Sequence, residues 1–170
     1  EVPVSSQPIQ CVPQLTAATY TPRGSTALLD AIGRTIKETA GRICALPELE
    51  KPGKVIFAIF TDGEENASQE YTAKHISDLI RLYREEKGWE FLFLAANQDA
   101  IATAASMSMD THSTTNVAFT ADAIRSTGSA MARKVRAMRM KSSGKMDAQA
   151  AEDDAKSMAE ILVEEQSREN

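Results

Sequence analysis

Residues 54–61 read KVIFAIFT, an apolar run that meets no polar side chain between Val55 and Phe60. A β-strand that alternates apolar and polar residues can leave one face in water; an unbroken run requires cover on both faces. A second run of this kind, WEFLFLAA, occupies 89–96. Between them, 71–87 carries Ile76, Leu79, Ile80 and Tyr83 at helical spacing, and Gly88 supplies a stop. Strand, helix and strand over this length make a βαβ unit, which predicts parallel pairing through a right-handed crossover. The chain is therefore expected to be α/β, a doubly wound and mostly parallel sheet with helices on both sides.

The remaining segments fit around that unit. Residues 26–46 form a predicted helix with Leu28, Leu29, Ile32, Ile36 and Ile43 on one side, Ser25 as its N-cap, and Pro47 and Pro52-Gly53 closing it off. Residues 8–15 (PIQCVPQL) are at best a short strand, which Pro13 confines to an edge or an end. Downstream, 100–107 reads as a short helix, 116–119 as a short strand and 121–140 as a longer helix. There is no internal repeat.

The last part differs in composition. Arg133, Lys134, Arg136, Arg139, Lys141 and Lys145 crowd one stretch, Ser142-Ser143-Gly144 marks a break, and 147–169 is mostly acidic. Ala151, Ala155, Met158 and Leu162 recur there at helical spacing. Residues 1–140 are thus assigned to the domain and 141–170 to a charged helical tail. That tail is either a solvated helix with a weakly docked apolar stripe or a helix that binds a partner or a second copy.

Charge and composition exclude several classes. With 170 residues, a net charge of −5 and an isoelectric point near 5.1, the chain lacks the footprint of a nucleic-acid binder. No apolar run approaches the roughly 18 residues of a membrane span, and no signal peptide is visible. Cys11 and Cys44 have no metal-ligand spacing, so buried free thiols in a reducing compartment, and hence a cytoplasmic protein, are expected.

Two short stretches carry the candidate chemistry: PRGSTALLDAI at 22–32 and FTDGEEN at 60–66. In a doubly wound sheet, ligands sit outside the carboxyl ends of the strands. Asp62 follows such an end, and Thr26 lies at a helix start that can face the same crevice. A hydroxyl and a carboxylate suit a hard divalent cation, which takes about six oxygens. By spacing alone they read equally as a helix start and an Asp-Gly turn. His75, in a helix, and His112, in a Ser/Thr-rich loop, have no visible acid partner and read as structural or solvated.

These two stretches, in this order with a strand between them, resemble the second and third elements of a von Willebrand factor type A (VWA) domain. The wider run through Asn97-Gln98-Asp99-Ala100 is similar to small bacterial and phage proteins of that family. The resemblance covers about residues 8–140. It implies a metal-ion-dependent adhesion site in which Thr26 takes the place of the threonine in a Gly-x-Thr loop and Asp62 that of the aspartate in a Thr-Asp-Gly loop. Gly24, Ser25 and Gly63 would shape those loops. Asn97 and Asp99, on the rim of the next strand, would order water around the ion or form a turn. Arg23 would shape its loop or meet a partner carboxylate, and Glu64 and Glu65 would tune the charge facing a partner or remain solvated.

The family's third element, an Asp-x-Ser-x-Ser loop, occurs nowhere in this sequence. In the family, the strand that carries it is central, in the order 3-2-1-4-5-6, so the resemblance implies a partial domain lacking its first strands. The chain also begins with Glu1 rather than Met, and is expected to be a fragment completed by a preceding segment, in trans, or by exchange between copies. With one hydroxyl and one carboxylate, Mg2+ or Mn2+ would bind weakly or not at all. The expected function is metal-dependent protein–protein binding without catalysis, an acidic side chain of the partner completing the ion's shell. The alternatives are an assembly component, such as one of a phage particle, that binds through its helical tail without metal, and a divalent-metal-dependent hydrolase using Asp62.

Overall fold

The computed structural model describes residues 7–14, 16, 18–19, 25–62, 65–96, 100–118 and 120–169. Strand β1 (Ile56–Thr61) and strand β2 (Glu90–Ala95) pair in parallel, with Phe57 beside Phe91 and Phe60 beside Leu94. Helix α2 (Ala73–Lys87) connects them, as the apolar spacing of 71–87 predicts. Gly88 ends it in the left-handed conformation at φ 63°, which glycine adopts without steric cost. A third parallel strand, β3 (Thr114–Asn116), gives the order β1-β2-β3.

The central strand β2 explains its own sequence. Phe91, Phe93 and Ala95 point to one face and Leu92 and Leu94 to the other, and all five are buried. The first face packs against Leu28, Ile32 and Ile36 of helix α1 (Leu28–Ala45), Ile76 and Ile80 of α2, and Ala104 beside Met107 at the end of helix α3 (Ala100–Ser106). Phe57 stacks on Trp89 at 5.6 Å at one end of this core. The second face packs against Ala130 and Met138 of helix α4 (Ala121–Ser142) and Met158, Ile161 and Leu162 of helix α6 (Met158–Glu169). Each fully buried aliphatic side chain contributes about 1.5–3 kcal/mol of transfer free energy, so both faces matter to stability. The molecule is a mixed α/β protein with a small parallel sheet and helices on each side.

Of residues 141–170, expected as a charged tail, those described through 169 are built into or against this second core. Asp147 caps helix α5 (Ala148–Ala155) by accepting from Ala150 N at 2.7 Å. Ser157 and Glu160 then start α6 with a reciprocal capping box. The basic run of α4 faces the acidic helices. Arg133 binds Asp153, Glu164 and Glu165, Arg136 binds Asp147, and Lys141 binds Asp154. Lys134 is buried, 2% exposed, and donates to the carbonyls of Asp153 at 3.1 Å and Asp154 at 3.0 Å, and to that of Lys156. These groups lie at the C-terminus of α5, where backbone oxygens lack helical partners.

Four local expectations are corrected. Residues 8–15 hold no strand among those described; Ile9–Cys11 is an exposed 3-10 turn, since the prolines at 8 and 13 offer no N–H to a ladder and Cys11 N bonds back to Pro8 O at 2.8 Å. The third strand is 114–116 rather than 116–119, because Asp110 accepts from His112 N at 3.0 Å and turns the chain into the sheet early. Cys11 and Cys44 are exposed rather than buried: one lies in that turn, the other near the end of α1 beyond its core contacts. Ser25 is not the N-cap of α1; the helix begins at Leu28 after Ala27, and no side chain of its own neighbourhood caps it.

Candidate functional site

The start of α1 is capped from across the chain. Thr26 N donates to Asn66 Oδ1 at 3.0 Å, and Asn66 N returns a bond to Thr26 O at 3.1 Å. This clasp engages both backbone groups of Thr26 and delays the helix. The next open donors, Leu29 N and Asp30 N, are met by Glu65 Oε2 at 2.8 Å and Ser68 Oγ at 3.1 Å. A helix leaves its first N–H groups unpaired, and here the segment after β1 takes them.

The exchange runs both ways. The Asp30 carboxylate accepts from Gln69 N, Glu70 N and Tyr71 N, each at 2.9 Å. The Gln69 N–H, with those of Tyr71 and Glu70, holds its carboxyl below the usual carboxylate range against the opposing effect of burial. For Glu65, burial pushes the carboxyl up, but donors from Leu29, Ser68 and Ala67 outweigh it and leave the group below its ordinary value. Arg34 forks onto Glu70, and Lys37 sits 5.0 Å over the Tyr71 ring. Gly33 completes the fit, since a Cβ there would lie 2.5 Å from a Tyr71 ring carbon. The first turns of α1 and the segment 65–71 are thus one rigid unit.

Two of the predicted residues lie on the segments that this unit joins, which make up the rim at the carboxyl end of β1. Asp62 directly follows β1 and is exposed; Thr26 is half-buried and tied to Asn66, four positions beyond Asp62. Ser25 is exposed beside Thr26. Glu65, considered for the partner surface, turns its carboxylate inward to cap α1. Arg23, Gly24, Gly63, Glu64, Asn97 and Asp99 lie outside the described residues. His75 is exposed in the capping box of α2 with Thr72, and His112 Nε2 lies 3.4 Å from Lys134 Nζ.

As a cation site, the rim fits in kind and falls short in number. The Thr26 hydroxyl and the Asp62 carboxylate are hard oxygen donors, but a divalent ion of this class takes about six. The nearby carboxylates of Asp30 and Glu65 already accept backbone N–H groups. Among the described residues, no group of three or more His, Cys, Asp and Glu side chains is placed to hold a metal ion. Asp30, Ser68 and Asn66 were not legible as partners of the α1 start, because their contacts span about forty positions and leave no local pattern. No known protein family, characterised protein or solved structure matches this chain.

Proposed function

We propose that this chain is a protein-binding module resembling part of a VWA domain, which meets its partner at the rim formed by Thr26, Asp62 and their loops. The observation that carries this reading is the Thr26–Asn66 clasp, which fastens the segment after Gly24-Ser25 to the one after Asp62 at the carboxyl end of β1. Ligands of α/β sheets gather at such ends. Mg2+ or Mn2+ would be held by Thr26 and Asp62 with water in most of its shell, and an acidic side chain of the partner would complete it. Binding rather than catalysis is favoured because the carboxylates beside the rim are saturated with backbone donors and held ionised, which suits neither a general acid nor a general base.

The assembly reading, with residues 141–170 as a free docking helix, is supported less well. The apolar side of α6 lies in the second core, and many charges of α5 and α6 are paired with α4.

Calorimetry with magnesium or manganese tests the proposal on this chain and on one preceded by an Asp-x-Ser-x-Ser strand. Weak uptake that Asp62→Ala abolishes, strengthened in the extended chain, is the expected result. Tight uptake that survives Asp62→Ala places the ion elsewhere, and no uptake by the extended chain overturns the cation reading.

A further inference from the structure

We propose that β1 pairs antiparallel with β1 of a second copy of this chain, about a two-fold axis at Ala58, joining the two sheets into one. The carbonyls of Val55 and Thr61 accept from Glu90 N and Ala96 N, so the odd-numbered residues of β1 turn their backbone groups toward β2. In a parallel strand the alternate residues point the other way. The N–H and C=O of Ile56, Ala58 and Phe60 therefore face the outer edge, where they have no partner among the described residues.

The side chains leave that edge unprotected. Residues 55–60 contain no charge and no proline, two devices that keep an edge strand from pairing. On the α4 side, the second core covers Leu92 and Leu94 of β2 completely but reaches only Ile56 of β1. Ala58 is exposed there and Phe60 is 47% exposed. A groove of Ile56, Val135 and Arg139 runs alongside.

A second copy of the same strand fits this edge in one register. With Ala58 opposite Ala58 of the second copy, Ile56 lies opposite Phe60 of the second copy and Phe60 opposite Ile56 of the second copy. Every outward N–H and C=O on both strands then finds a partner. Side chains directly opposite in antiparallel strands touch on the same face, so Phe60 of the second copy covers Ile56 beside Val135. The same register sets Lys54 opposite Asp62 of the second copy, with the Lys54 ammonium drawn inward to Glu90 and Gly88 O and so clear of the pairing edge. Hydrogen bonding and apolar cover thus agree on one symmetric, closed contact.

Analytical ultracentrifugation over micromolar to millimolar concentration, in EDTA so that no cation takes part, tests this on three proteins: the wild-type chain, Phe60→Lys and Ala58→Pro. Phe60→Lys puts a charge on the bare face; Ala58→Pro removes an N–H that no intrachain bond uses. The expected result is a wild-type dimer that both variants lose while circular dichroism and thermal unfolding show them folded. A wild-type monomer overturns the proposal, as does a dimer that survives both substitutions. A monomer whose Ile56, Ala58 and Phe60 amides resist hydrogen exchange overturns it in favour of cover by another segment of the same chain.

Discussion

Replacing Lys134 by methionine keeps the buried stem and removes the ammonium, so it isolates what that charge does at the end of α5. Its three carbonyl acceptors belong to Asp153, Asp154 and Lys156. A buried acceptor left without a donor costs about 1–3 kcal/mol. Asp153 is buried, whereas Asp154 and Lys156 are half-buried, so water recovers part of their loss. Methionine also avoids desolvating a charge, the effect by which apolar replacements of buried ions sometimes stabilise a protein. Here the carbonyls remain after the ion is gone, and their loss is the larger effect. The expected balance is a destabilisation of about 2–3 kcal/mol at neutral pH, measured by urea unfolding.

The pH dependence of that difference is a second readout. Burial pushes the Lys134 amine below its ordinary value, only partly opposed by Asp154, with Lys141 acting in the same direction as burial. Below the lowered value, folded and unfolded chains both carry the charge and the full burial penalty is present. As pH rises from there toward the ordinary lysine value, the folded chain releases its proton first, so wild type gains stability and the gap to Lys134→Met widens. Unfolding curves from neutral pH to about pH 10 record this. A variant as stable as wild type, or a difference that does not change with pH, would refute the reasoning.

Two further outcomes follow from the α1 unit. Gly33→Ala gains up to about 1 kcal/mol of helix propensity, yet its Cβ meets the Tyr71 ring at 2.5 Å; a net loss of about 1–3 kcal/mol is expected, with faster hydrogen exchange at Gln69, Glu70 and Tyr71. Unchanged exchange there would show that the ring moves aside freely. Because the folded-state value of Glu65 is lowered, its contribution is present above the ordinary carboxylate range and is lost as pH falls through that range to the lowered value. Glu65→Gln should therefore flatten the acid limb of the stability profile, and an acid limb identical to wild type would remove Glu65 as the cap of α1.

The parts of the fold that the sequence made legible are those with a strong period or an unbroken run. Val55–Phe60 and Phe91–Ala95 have few alternatives to a covered strand, and Ile76, Leu79 and Ile80 mark a helix by spacing alone. The C-terminal helices were less legible because much of what they bury is small or charged. Ala150 and Asp153 of α5 are buried, and the cations of Arg133 and Lys134 meet Asp153 from α4. A run of lysine, arginine and glutamate looks like a solvated surface until its partners are known. The rim divides in the same way. Thr26 and Asp62 stood out through a local motif, whereas Asp30 and Glu65 act through backbone groups that no composition reveals.

The cover of β2 also bears on how this chain leaves the ribosome. Phe91 and Phe93 find α1 and α2 already made when β2 emerges, so one side of the strand can close at once. Leu92 and Leu94 must wait for Ala130 and Met138 of α4 and then for Met158, Ile161 and Leu162 to complete their cover. At about 5–20 residues per second, that leaves a greasy sheet face bare for several seconds of synthesis, the kind of surface that chaperones hold. A nascent chain halted before α6 would be the form most in need of them.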